Sequence, residues 1–195
     1  MTQPSLCCDL YLIGVGGQGI GLLAESILRA ADAAGMPVRG VDTHGLAQRG
    51  GTVTSHVRIG NTAHSPLVRP GAAHVVVALE RHEALRGMNS HLRDGGTLVY
   101  YDCELQPLPV RLGKTGRLDP ELVTREAQRR GIRVFRTKLS DLPDPRMQNI
   151  AVLAALISHQ VLPGLDRSHF EAALTDLMQG AALDANLALL RRLTT

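Results

Sequence analysis

No tryptophan occurs in this chain, and its 195 residues hold only two phenylalanines and three tyrosines. A core made from such a sequence must be aliphatic. Nor is there a basic stretch interleaved with aromatics on which nucleic-acid bases would stack. An excess of one charge is lacking too: 21 Lys and Arg oppose 18 Asp and Glu, a formal net charge of +3, and the arginines are scattered. These absences argue against nucleic acid as a partner and leave acidic small molecules open. Cysteine is scarce. Cys7, Cys8 and Cys103 form no Cys-x-x-Cys pair, which argues against a disulfide framework, a zinc site or an iron–sulfur cluster held by this chain alone. Free thiols in a reducing cytoplasm are the expectation. Met1 to Asp9 has neither a basic start nor an apolar core, so no secretory signal is visible. The longest apolar run, Ile150 to Ile157, is far shorter than the ~20 residues that cross a bilayer. A cytoplasmic protein without a membrane segment is expected.

With 44% hydrophobic residues, the chain is long enough for one sizeable core and short for two, so residues 1–195 are read as a single domain. Leu10 to Val15 reads as a buried strand. After it, Ile20, Leu23, Ile27, Ala31 and Ala34 share one helical face, with Glu25, Arg29 and Asp32 opposite. Gly35 and Pro37 end that helix, and Val38 to Asp42 makes a second strand, completing a βαβ unit. Val53, Val57 and Ile59 alternate with Thr54, His56 and Arg58, a strand with one more polar face. This places His56 and Arg58 outward on a solvated or interface surface. Val75 to Leu79 has the continuous β-branched character of a strand covered on both faces. Arg81 to Leu92 reads as a helix, Asp94-Gly95-Gly96 as a turn and Thr97 to Asp102 as a strand. Gln106 to Gly116 reads as a loop. Asp119-Pro120-Glu121 opens a helix that ends at Gly131, Ile132 to Arg136 is a strand, and Asp144-Pro145 opens a deeply buried helix. Two more helices follow between Asp166 and Leu193. The fold expected is α/β, a three-layer Rossmann-like domain with a mostly parallel sheet. Thr52 to Pro66 is the place where antiparallel pairing would make the sheet mixed.

Two segments carry the functional signal. Gly14-Val15-Gly16-Gly17-Gln18-Gly19 lies between strand and helix, the place where a glycine loop lays phosphate against backbone N–H groups. There the first glycine allows the turn, the second lets a ligand approach, and the third lets helix and strand pack. Packing alone, without any ligand, would also account for the glycines. Asp42, 28 residues beyond Gly14, stands where an acidic ribose ligand of a dinucleotide would sit. The second segment, His44-Gly45-Leu46-Ala47-Gln48-Arg49-Gly50-Gly51, follows a strand end, the edge where open α/β sheets bind ligands. Arg49 beside Gly50-Gly51 suits a phosphate or carboxylate, although a long solvated connection would have the same composition. The remaining histidines (His64, His74, His82, His91) show no ligand spacing, and no Gly-x-Ser-x-Gly turn offers a nucleophile. Asp102 beside Cys103 should raise its thiol pKa and keep it unreactive.

The two segments together, continuing through Thr52-Val53 and Ser55-His56-Val57-Arg58-Ile59-Gly60, resemble the gamma subunit or domain of 2-oxoacid:ferredoxin oxidoreductases. Within that family the small subunit of indolepyruvate ferredoxin oxidoreductase is the nearest form. The match is dense over residues 10–60, thins to a pattern of elements over 70–140, and returns at Met147-Gln148-Asn149, where the family often opens its penultimate helical region with Asn. Leu46 stands where the family commonly has Met, a volume-conserving difference. The resemblance implies an accessory subunit in a decarboxylating oxidation: 2-oxoacid and coenzyme A give acyl-CoA and CO2, and ferredoxin takes the electrons. Thiamine diphosphate and the iron–sulfur clusters are then expected on a large catalytic partner subunit, with coenzyme A as a possible contact of this chain. Gly14, Gly16, Gly17, Gln18 and Gly19 become candidates for its pyrophosphate, with Arg49, Gly50, Gly51 and Asn149 as further contacts. A free-standing NAD- or nucleotide-binding protein is the alternative, resting on the same loop with Asp42. A gamma subunit must also expose an apolar patch to its partner. Ala181 to Leu193 is one place for it, packing within the domain being the other use of that stretch.

Overall fold

The computed structural model describes residues 7–44, 51–61, 64–105 and 119–195. In chain order these form β1 (Cys8–Val15), α1 (Ile20–Ala33), β2 (Val38–His44), β3 (Thr52–Ile59), β4 (Ala73–Ala78), α2 (Arg81–Ser90), β5 (Leu92–Tyr101), α3 (Pro120–Arg129) and β6 (Arg133–Thr137). A 3-10 turn, Pro145–Met147, then leads into α4 (Gln148–Ser158), followed by α5 (Arg167–Leu177) and α6 (Gly180–Leu193). Asn149 thus opens a helix with two more behind it, one further from the end than the family pattern implies. The expected loop between Gln106 and Gly116 lies outside the described residues.

Period-two alternation builds the three layers. Leu10 and Leu12 of β1, Val75 and Val77 of β4, and Val99 and Tyr101 of β5 turn to one face, where α1, α4, α5 and α6 pack. Their neighbours Tyr11 and Ile13, Val76 and Ala78, and Leu98 and Tyr100 turn to the other, under α2 and α3. Each such large side chain, fully covered, contributes roughly 1.5–3 kcal/mol. α1 buries Ile20, Leu23, Ile27 and Ala31 of the expected stripe and adds Ala24 and Ala30, while Ala34, the residue just past the helix, is partly buried. It ends in a Schellman arrangement at Gly35 (φ 70°), where Met36 N–H donates to Ala31 O and Gly35 N–H to Asp32 O. The leucines of α6 serve packing within the domain: Leu189 and Leu190 are buried, and Leu183, Leu187 and Leu193 lie against the core.

The sheet order is β2-β3-β1-β4-β5-β6. Pairs β1–β4, β4–β5 and β5–β6 are parallel, whereas β3 runs antiparallel to both β1 and β2. The sheet is therefore mixed, with one reversed strand inside it. That insertion separates β1 from β2, so the strands of the first βαβ unit run parallel without touching. Asp94 to Gly96 do not leave the sheet as a turn. They lie within β5, where Gly95 takes φ 69° and the register with β4 jumps between the Ala73–Leu92 and Val75–Thr97 pairs.

Placing β3 inside the sheet also corrects the expectation for His56 and Arg58. The face of β3 that carries His56 is covered by the segment at Val68 and by His91: His56 is 7% exposed, its Nδ1 accepting Val68 N–H at 3.1 Å. Its ring meets Tyr11 and His91 edge-on, while those two stack with centroids 3.7 Å apart. Arg58 pairs with Asp9, Nε to Oδ1 at 2.7 Å.

Burial holds the pKa of His56, His74 and His91 below the ordinary 6.5. The unfolded chain therefore takes up protons first as pH falls. Stability is complete above 6.5 and declines from there as pH falls through the folded values. Urea midpoints measured from neutral pH down to about pH 5 should fall. His56→Asn, which keeps an acceptor but does not titrate, should flatten that fall. An equally steep fall in the variant would show that His56 does not contribute.

Candidate functional site

The glycine loop joins β1 to α1 at the C-terminal edge of the parallel strands, and its glycines divide the work differently from the order the motif suggests. A Cβ on Gly14 would lie 2.9 Å from Ile20 Cδ1 and Cγ1. The first glycine is therefore the one that lets helix and strand approach. Gly17 takes φ 102° with nothing within 4 Å of a Cβ position, leaving open space beside a bare backbone. Gly19 is the N-cap of α1 at φ 85°, and a Cβ there would be 2.8 Å from Asn149 Nδ2. The last glycine thus admits Asn149. No side chain caps α1, so the N–H groups of its first turn remain available to an anion.

Gln18 is a structural clamp. The β1–β4 ladder ends where Leu79 N–H donates to Ile13 O at 3.1 Å. One step further on, the Gln18 side chain takes the place of a peptide: Oε1 accepts Val15 N–H at 2.7 Å and Nε2 donates to Leu79 O at 2.6 Å. With 4% of its surface exposed, Gln18 has its acceptor and one amide hydrogen engaged by backbone.

The second segment reaches the same edge. His44 ends β2, Thr52 opens β3 beside Val15, and Gly16 N–H donates to Gly51 O at 2.8 Å. Gly51 is thereby bonded to the glycine loop, while Leu46, Arg49 and Gly50 lie outside the described residues. Asp42 is on the outer strand β2, two places from β1, where Oδ1 accepts Ser55 Oγ–H at 2.5 Å. The inserted β3 puts its strand one place further from β1 than in a dinucleotide fold, while Asp42 Oδ2 lies 3.7 Å from where a Gly21 Cβ would be, at the first turn of α1.

Among the described residues three clefts border the loop, one of about 440 Å³ over Gly16, Gly17, Gly19 and the first turn of α1 and two towards α4. Of the latter two, one, of about 550 Å³, is bounded by Gly16, Gly17 and Gln18 on one side and by Tyr101, Leu105, Leu139 and Leu142 on the other, with Cys103 and Gln148 also in its lining. The second, of about 480 Å³, lies between Gly17, Gly19 and Leu22 and the start of α4, with Met147 and Asn149 on its wall. Arg146 stands at both and is held by Asp144, whose Oδ2 accepts Arg146 Nη2–H at 2.6 Å. Asn149 is 4% exposed, its Oδ1 accepting Ile150 N–H at 2.8 Å. Gly16, Gly17, Gln18, Gly19 and Asn149 are thus brought together, and Gly14 is buried beneath them against Ile20.

Arg146, Gln148 and Cys103 were not singled out from the sequence as site residues. The available signals were position alone: Cys103 follows the end of a strand, and the other two flank Asn149. The Cys103 thiol is pushed up to about 11, first by burial, with Glu80 and Asp102 adding to it. The direction expected from Asp102 holds, but burial is the larger cause. Among the described residues no group of three His, Cys, Asp or Glu is placed to hold a metal ion, and no helix is long and apolar enough to cross a membrane.

A family model described as pyruvate ferredoxin/flavodoxin oxidoreductase matches residues 9–193. Over 189 residues the chain is 33% identical to the indolepyruvate oxidoreductase subunit IorB of Archaeoglobus fulgidus, covering 94% of this chain and 92% of that one. Among solved structures, the gamma subunit of a keto/oxoacid ferredoxin oxidoreductase from Geobacter sulfurreducens superposes with a TM-score of 0.64 at 18% identity, over 96% of each chain. A 2-oxoglutarate:ferredoxin oxidoreductase from Magnetococcus marinus, with 2-oxoglutarate, coenzyme A and succinyl-CoA bound, gives 0.69 at 18% identity, over 98% of this chain and 31% of that one. The last two are likenesses of fold.

The clamp generates a stability prediction. Gln18→Met keeps the length of the side chain but leaves Val15 N–H without its partner. It should cost about 1–3 kcal/mol in urea denaturation. An unchanged midpoint would show that the amide does not hold the loop.

Proposed function

From the premise that the chain belongs to the pyruvate ferredoxin/flavodoxin oxidoreductase family, we propose that it is the gamma-type accessory subunit of a thiamine-dependent 2-oxoacid:ferredoxin oxidoreductase. Residues 1–195 are read as one gamma-type domain, and indolepyruvate or a related arylpyruvate as the substrate of the complex. The observation that carries this reading is the 33% identity to an indolepyruvate oxidoreductase subunit over nearly the whole of both chains. Oxidative decarboxylation of the 2-oxoacid in the presence of coenzyme A yields acyl-CoA and CO2, the electrons passing to ferredoxin. With three cysteines in the whole sequence, this chain lacks the four thiolates of a usual iron–sulfur cluster. The clusters and thiamine diphosphate are assigned to the large partner subunit.

The chain's own part in this reading is to hold coenzyme A at the glycine loop. Bound there, coenzyme A would supply the thiol that accepts the acyl group. The residues present fit it. Gly17 offers open backbone with nothing within 4 Å of its Cβ position, the first turn of α1 has no side-chain cap, and Asn149 lies against Gly19. Arg49, outside the described residues, is assigned a phosphate contact on the family resemblance. The NAD reading rests on Asp42, whose Oδ1 accepts from Ser55 and whose Oδ2 faces Gly21 in the first turn of α1, on a strand separated from β1 by β3.

Co-expression with a thiamine- and cluster-bearing partner tests the assignment. The two chains should co-purify and reduce ferredoxin with indolepyruvate in a coenzyme A-dependent manner, faster than with pyruvate or 2-oxoglutarate. The chain alone should bind no thiamine diphosphate. Arylpyruvate oxidation by the isolated chain, or tight NADH binding lost in Asp42→Ala, would overturn the assignment. A complex preferring pyruvate or 2-oxoglutarate would overturn only the arylpyruvate.

A further inference from the structure

β2 is an edge strand, paired with β3 on one side only. Two backbone bonds fix which way its peptide groups point. Gly60 N–H donates to Pro37 O at 2.8 Å, one step beyond the Val38–Ile59 pair. Hydrogen-bonded pairs recur at every second residue of an antiparallel ladder, so Arg39, Val41 and Thr43 bond to β3. Gly16 N–H to Gly51 O sets the complementary phase on the other side of β3, where its odd-numbered residues bond to β1. The N–H and C=O groups of Val38, Gly40 and Asp42 therefore point away from the sheet. Among the described residues none of these groups has a hydrogen-bond partner. Gly40 and Asp42 are exposed, and Val38 and Val41 are half-buried. Such a row of open peptide groups is a template for another strand. β6, at the opposite edge, is five residues long and carries exposed Arg133 and Arg136, features that keep an edge single.

The residue pattern of β2 selects the strand that fits it. Two copies related by a twofold axis perpendicular to the sheet pair antiparallel, and the position of the axis sets which residues face each other. An axis at Arg39 or at Asp42 sets like charges directly opposite, which is unfavourable. An axis at Gly40 matches only Val38 to Asp42. An axis at Val41, the middle of the strand, overlaps all seven residues. Arg39 then faces Thr43, the open groups of Gly40 meet those of Asp42, and Val41 faces its own copy. Gly40 presents no side chain to obstruct the approach. On the α1 face the half-buried Leu28 lies over Gly40, where a Cβ would be 2.7 Å from its Cδ1, and widens the apolar contact.

We propose that β2 is the contact surface for a second copy of this chain, the two strands pairing antiparallel about Val41 so that one sheet runs through both copies. This goes beyond the accessory role and the coenzyme A reading and rests on neither.

Sedimentation equilibrium of the full chain tests it. The parent should show a reversible species of twice the monomer mass. Val41→Lys and Val41→Glu, each setting like charges together at the axis, should weaken that dimer by about tenfold or more. An equal mixture of the two variants should restore it. Val41→Cys should form a linked dimer on oxidation, because the axis pair is a close one, about 4.5 Å between Cα atoms and within disulfide reach. The parent, with Cys7, Cys8 and Cys103, should not link. Urea midpoints near the parent's establish that the charged variants fold, and where they do not, the Val41→Cys link decides. A parent that stays monomeric with no Val41→Cys link, a dimer indifferent to both charges, or a mixture no better than either variant alone would overturn the proposal. Loss of binding to the large partner subunit in Val41→Lys, with the parent monomeric, would also overturn it and give the edge to a strand of that subunit.

Discussion

A primary amide carries an acceptor and a donor on one rigid plane, as a peptide group does, and at Gln18 both ends engage backbone. β4 gives its last ladder bond through Leu79 N–H, and beyond that point Val15 N–H would be buried beside a chain that has already left the sheet. The Gln18 amide fills the gap, accepting from Val15 and donating to Leu79. Everything at the candidate site hangs from this bridge. It fixes the loop at the strand ends, which sets Gly17 open to the clefts and starts α1 at Gly19. The close seat of α1 on β1 at Gly14 depends on the same geometry, because the Gln18 Oε1 lies 3.1 Å from where a Gly14 Cβ would be.

β3 acts on a larger scale. A reversed strand between β1 and β2 carries the buried His56 and brings Gly51 onto Gly16. It thereby joins at one sheet edge two motifs that lie about 30 residues apart in the chain. The same insertion puts the strand of Asp42 one place further from β1, with the Asp42 carboxylate still facing Gly21 of α1. One topological feature thus supports the pairing of the two motifs and changes the strand from which Asp42 reaches the start of α1.

Much of the fold was legible because apolar periodicity and terminal chemistry are local. The α1 stripe, the Asp119 and Asp144 caps and the Gly35 termination all depend on neighbours within a few residues. The candidate site was legible in part. Gly16, Gly17, Gly19 and Asn149 do converge, but Gln18 turned inward, and Cys103, Arg146 and Gln148 joined the clefts without any motif to announce them. His56 failed as an outward residue because alternation tells which residues share a face and not whether that face is covered.

Residue order alone determined the alternation of strands and helices, the aliphatic core, and the family to which the glycine loop and the segment ending at Gly50-Gly51 point. Those properties follow from local propensity, hydrophobic period and motif spacing. Tertiary structure alone decided which strand lies beside which and whether a polar side chain faces ligand or backbone. It also decided which residues far apart in the chain share a cleft. The physical reason is that hydrogen-bond satisfaction in the interior is a property of the packed assembly: Gln18 meets Leu79, and Gln148 meets Cys103, only once β1, β4, β5 and α4 have come together.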